Sequence, residues 1–136
     1  MDGVILTSEK VIPHPKGDIL HAMKVDDIGF NGFGEAYFSS IAKGEIKGWK
    51  KHSVMTLNLV VPVGEIEFVV HDEKSFFATT LSRGNYQRLT VRPHRWVAFR
   101  GLSDSNMLLN LASHNHDPAE SVNLPLEEIP YNWSHK

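Results

Sequence analysis

The 136-residue chain contains no cysteine. That excludes disulfides, thiolate metal ligands and a cysteine nucleophile, and it fits a reducing compartment. An excess of either charge is also missing: 14 Lys and Arg stand against 16 Asp and Glu, a formal net charge of -2. Nucleic acid or an acidic membrane would call for a basic surplus, so neither is an expected partner. Long apolar runs are absent. The longest, Leu57 to Val63, is broken by Asn58 and Pro62 and is far too short to cross a bilayer. The N-terminal MDGVILTSEKVIP sets acids beside a short apolar run and does not read as a signal peptide. A soluble cytoplasmic protein is expected. No repeat, low-complexity stretch or linker interrupts the chain, and its length suits one domain over residues 1–136. There is no nucleophile elbow and no Gly-rich phosphate loop.

Helical periodicity is missing as well. What is present is a series of short apolar runs with β-branched residues, punctuated by Gly, Pro, Asn and Asp, the pattern of an all-β sandwich or barrel. The clearest strand is Glu65 to Asp72, with Ile66, Phe68 and Val70 on one face and Glu65, Glu67 and His71 on the other. Further strands are expected at Val4–Leu6, Ile19–Lys24, Ala36–Ala42, Glu45–His52, Met55–Val63, Tyr86–Val91, Trp96–Phe99 and Met107–Ala112. From Asp117 onward three prolines break the chain into an irregular tail, with a short helical turn near Leu126 to Ile129. Tyr131 and Trp133 are expected to pack that tail onto the barrel.

The segment Ile46 to His52 is the richest in chemistry. On a strand, Gly48, Lys50 and His52 share one face, with Lys47, Trp49 and Lys51 opposite. A lysine and a histidine side by side in a barrel mouth suit an anionic or carbonyl-bearing ligand, as base or as oxyanion stabiliser. A solvated basic edge is the alternative. His114 and His116 have the i, i+2 spacing of a metal pair, but they fall at a strand end beside Asp117-Pro118. The strand that should carry such a pair offers Lys50, whose charge repels a divalent ion, so no metal is expected. Arg92 to Arg100 forms a basic, aromatic stretch. Arginine forks suit phosphate and Trp96 suits a base or sugar face, unless Trp96 is simply buried with arginines around it.

Several segments, in order, resemble the epimerase and ketoisomerase cupins of nucleotide-sugar metabolism (RmlC-like), typified by dTDP-4-dehydrorhamnose 3,5-epimerase. They are KGDILH (16–21), FGEAYFSS (33–40), EIKGWKKHSVMTLNLVVPVGEIEFVVHD (45–72), LTVRPHRWVAFRG (89–101), NLASHNHDPAE (110–120) and IPYNW (129–133). The shorter epimerase-related branch, often found with polysaccharide biosynthesis genes, is the nearest in character.

The resemblance implies a single cupin jelly-roll barrel, usually a homodimer, without metal or other cofactor, acting on a nucleotide-linked (dTDP-linked) 4-keto-sugar. It places the family's catalytic His at Lys50, the supporting Asp at Asn132, the proton-donating Tyr at Asn110 and a second His at Val97. In the ketoisomerases two His alternate on this strand; here the first position is Lys50 and the second is His52. Lys47 keeps a phosphate-binding basic position in kind, and Lys16-Gly17 stands where the family has Arg-Gly. The candidate catalytic residues are thus Lys50, His52 and Asn110. The candidate substrate contacts are Lys16, His21, Lys47, Asn58, Trp96, Arg100, His116 and Asn132. Because Asn cannot donate a proton as Tyr does, two readings stay open: an isomerase or epimerase, and a non-catalytic cupin that binds a sugar nucleotide or a partner enzyme.

Overall fold

The computed structural model describes residues 1–133. Two five-stranded antiparallel sheets pack face to face as a jelly-roll sandwich, with no α-helix among the described residues. The first sheet runs β1 (Val4–Ser8), β9 (Gln87–Val91), β6 (Leu57–Val63), β11 (Ser105–Ala112), β4 (Glu35–Ala42). The second runs β12 (Ser121–Asn123), β5 (Ile46–His52), β10 (Trp96–Gly101), β7 (Glu65–His71), β8 (Phe76–Ser82). A two-stranded hairpin, β2 (Val11–Ile12) with β3 (Ile19–Leu20), stands apart. No described helix is long and apolar enough to cross a membrane.

Alternation explains the core. Ile66, Phe68 and Val70 of β7 point inward and meet Leu57, Leu59 and Val61 of β6, Leu89 and Val91 of β9, and Leu108 of β11. Each side chain so buried contributes about 1.5 to 3 kcal/mol. At the β6–β7 turn Gly64 has φ +81°, and a Cβ there would stand 2.1 Å from the Ser105 carbonyl oxygen, so only glycine fits.

The outer face of the second sheet carries its own core. Trp49, Val69, Trp96 and Ala98 are covered by Ile129, with Leu124, Leu126, Tyr131 and Trp133 packed around them. The tail therefore folds back through Tyr131 and Trp133, as its composition predicts, with a 3₁₀ turn at Leu126–Glu128. It is more ordered than its prolines suggest, because Ser121–Asn123 pairs with β5 as an edge strand.

The outer face of the first sheet is closed by the segment after β3. The Arg88 guanidinium is fully buried there and donates to Glu9, Asp27 (3.2 Å), the carbonyls of Ala22 and Ile28, and Asn58 Oδ1 (3.1 Å). A buried guanidinium needs this many acceptors, and meeting them pins residues 22–28 to the barrel.

Candidate functional site

A cavity of about 340 Å³ opens between the two sheets. One wall comes from β5 and β10: Lys47, Gly48, Lys50 and His52, with Val97 and Phe99. The other comes from β4, β6 and β11: Tyr37, Ser39, Leu57, Leu59, Leu108 and Asn110. Asn123 of β12, paired with Lys50, closes one side. No Asp or Glu is among the lining residues.

The alternation expected of β5 holds at Lys50 and His52 and fails at Lys47. The β5–β10 register shifts between Val97↔Lys50 and Phe99↔Lys47, so Gly48 and Trp49 together oppose Ala98 alone. This extra residue is a β-bulge, and it turns Lys47 to the same side as Lys50. Gly48, at φ +146°, takes up the distortion; a Cβ there would meet Ala98 Cα at 2.7 Å. Lys47 Nζ donates to the Ser40 carbonyl (2.6 Å) and lies 3.3 Å from Ser39 Oγ. No described residue makes a hydrogen bond or ion pair with the half-buried Lys50 ammonium.

His52 is held from behind. Its Nδ1 makes a short contact with Glu120 Oε1, and the second oxygen, Oε2, accepts from the backbone N–H groups of Ser53 (3.1 Å), Val54 (2.9 Å) and Met55 (3.0 Å). Burial pushes the Glu120 carboxyl up, but the His52 bond and the Met55 and Val54 N–H groups outweigh it and hold the carboxyl down to about 2. Glu120 is thus an anion at neutral pH. A carboxylate on Nδ1 favours the proton there and leaves Nε2 as the accepting nitrogen.

Opposite His52, Tyr37 and Asn110 are direct partners in the β4–β11 ladder. Asn110 Nδ2 donates to Tyr37 Oη at 3.0 Å, and Asn110 Oδ1 accepts from the Asn58 N–H at 3.1 Å. A hydroxyl therefore reaches the cavity from β4, one strand over from Asn110, where the family resemblance places its tyrosine.

The other expected contacts lie elsewhere. Asn58 points to the outer face of the first sheet, where it binds the Gly29 carbonyl, Arg88 and Thr90, because Leu57 and Leu59 take the inward positions. Trp96 and Arg100 point outward from β10 for the same alternation. Trp96 Nε1 donates to Glu73 (3.3 Å), and Arg100 donates to Glu67 (2.8 Å) and the Trp133 carbonyl (2.6 Å). Lys16 is exposed in the β2–β3 turn, and His21 follows β3 with its N–H on the Lys10 carbonyl. His116 and Asn132 are exposed and outside the cavity lining. Glu120 and Tyr37 are the residues that sequence reasoning missed. Tyr37-x-Ser39-x-Ile41 alternation was the available signal for the second. Among the described residues no group of three His, Asp or Glu could hold a metal ion.

No protein-family model matches the chain, and no curated protein sequence does. Solved structures do. A dTDP sugar isomerase from Desulfovibrio desulfuricans G20 is 34% identical over 99% of this chain and 93% of its own, with a TM-score of 0.92. The dTDP-4-dehydrorhamnose 3,5-epimerase of Sulfolobus tokodaii (21% identity, 96% of this chain and 82% of its own, TM-score 0.84) shares the fold. So does a mutant 3,4-ketoisomerase from Thermoanaerobacterium thermosaccharolyticum bound to TDP-4-keto-6-deoxyglucose (20% identity, 90% and 88% covered, TM-score 0.79). With the first of these similar along nearly its whole length, and the jelly roll and inter-sheet cavity in place, the chain belongs to the dTDP-sugar isomerase and epimerase family of cupins.

Proposed function

We propose that the chain is a nucleotide-sugar isomerase or epimerase that moves a proton on the carbon next to a keto group of a dTDP-linked 4-keto-6-deoxyhexose. The observation that carries this reading is the His52–Glu120 pair facing Tyr37 and Asn110 across a cavity lined by no carboxylate. His52 Nε2 takes the C–H proton, and the bond's electrons move toward the carbonyl carbon and onto its oxygen. Lys50 holds the resulting oxyanion; a donor aimed at developing charge contributes a few kcal/mol. A proton then returns to carbon, and Tyr37 is the hydroxyl placed to supply it from the opposite wall. Lys47, at the Ser39 end of the cavity, draws the diphosphate. The Tyr37 hydroxyl answers the Asn110 departure from the family pattern and so weakens the non-catalytic alternative, which rests also on the departures at Lys50 and Asn132.

The same reading includes a homodimer. β4 ends its sheet with an edge that no described strand pairs, and Phe33 and Phe38 beside it are more than 60% exposed. Sedimentation at micromolar concentration should give twice the chain mass; a monomer would remove this element.

The catalytic test is proton exchange by NMR. With dTDP-4-keto-6-deoxyglucose in heavy water, the C3 or C5 signal should vanish faster than in the protein-free control. Signals that stay intact while broadening on binding would overturn catalysis and leave the binding role.

A further inference from the structure

The Asn110 carboxamide is completely buried, and both its ends are engaged. Its orientation is not a free choice. The Asn58 N–H is buried and needs an acceptor, which Oδ1 supplies at 3.1 Å. The other end must then be the NH2 group, and it reaches Tyr37 Oη at 3.0 Å. The Asn58 backbone is itself fixed, since its side chain is held on the outer face by Gly29, Arg88 and Thr90.

A phenol oxygen that receives a hydrogen bond from an amide cannot send its own proton back along the same line. The Tyr37 proton must point elsewhere, and Tyr37 lines the cavity. From this geometry we infer that Asn110 is a positioning residue that turns the Tyr37 O–H proton toward the substrate and stays bonded to the oxygen once that proton has left. The ladder makes this local, since Tyr37 and Asn110 stand directly opposite each other on β4 and β11. The inference rests on the reading that proton transfer occurs in this cavity. Against it stands a purely structural role, in which Asn110 serves only to satisfy the Asn58 N–H.

Asn110→Asp separates the two. The carboxylate has the same shape and still accepts from Asn58, but it cannot donate to Tyr37 and attracts the phenol proton to itself. Asn110→Ser, smaller and uncharged, guards against a folding failure of the first variant. With dTDP-4-keto-6-deoxyglucose in heavy water, both variants should lose carbon-proton exchange by clearly less than they lose product formation, because His52 still removes and returns the proton from its own face. Product formation should fall about tenfold or more with KM unchanged. Tyr37→Phe should show the same split, and the Tyr37→Phe/Asn110→Asp double variant should be no slower than Tyr37→Phe alone. Wild-type product formation in both Asn110 variants, parallel loss of exchange and product, or additive losses in the double variant would each overturn the inference. Wild-type product formation in Tyr37→Phe would instead remove Tyr37 as the acid, and the inference with it. No exchange by the unmodified protein would overturn the reading of the site itself.

Discussion

The two faces of the β5–β10 pair are similar in composition and opposite in what they do. Outward lie Trp49, Lys51, Trp96 and Arg100; inward lie Lys47, Lys50 and His52. Every outward cation has a carboxylate: Lys51 pairs with Glu73 at 3.3 Å and sits 4.8 Å over the Trp96 ring, and Arg100 pairs with Glu67 at 2.8 Å. Inward, the carboxylate at hand among the described residues is Glu120. It lies behind His52 rather than beside Lys50, and no lining residue is acidic. The outward cations are thus neutralised within the protein, and Arg100 also holds the tail at the Trp133 carbonyl, whereas the inward Lys50 has no carboxylate beside it among the described residues. A basic, aromatic stretch announces neither role by itself; what separates them is whether the protein supplies the counter-charge.

That contrast can be broken or sharpened by mutation. The largest effect is expected from His52→Asn, which removes the proposed base and should lower turnover by about 10²- to 10⁴-fold while dTDP still binds. Arg100→Met should act on stability instead. It takes the guanidinium away from Glu67, whose side chain is 5% exposed, and loss of that partner should lower stability by up to about 3 kcal/mol. Chemical denaturation measures this, and activity per folded molecule should be unchanged. Lys50→Met should slow turnover about a hundredfold with the melting temperature held, as for other lost oxyanion donors; the outward Lys51→Met should alter turnover by less than about twofold. Equal effects of the two lysine substitutions would erase the distinction between the faces.

A further effect concerns acid. The Glu120 carboxyl is held at about 2, below its ordinary 4.5. A depressed carboxyl contributes stability that is complete above about pH 4.5 and is lost as pH falls toward 2. The shift is worth about 3 kcal/mol at most. Glu120→Gln should therefore be less stable than wild type at pH 7, with the gap closing between pH 4.5 and 2. Urea unfolding across that range checks it, and a gap independent of pH would contradict the ionised pair.

Much of this was legible in the sequence. Period-two alternation placed Ile66, Phe68 and Val70 in the core and Lys50 with His52 on one face, because a regular strand has no other option. Lys47 was assigned to the wrong face, since a bulge at Gly48 adds a residue that alternation cannot foresee. Glu120 was invisible because its partner is 68 residues away and a proline-broken tail gives no hint of an edge strand. Phe76–Ser82 carries no clear strand signal in the sequence because its mixed polar and aromatic residues sit at a half-exposed sheet edge. Trp96 and Arg100 looked like a nucleotide site by residue type; only the tail, by covering them, shows otherwise.

The most direct test of the account is an NMR titration with dTDP. All three tryptophans lie in the tail-covered outer layer. Their indole N–H signals should stay in place while the His52 ring and the Asn110 side-chain amide shift. Movement of the Trp96 indole, with His52 and Asn110 silent, would put the ligand on the outward face and contradict the central claim.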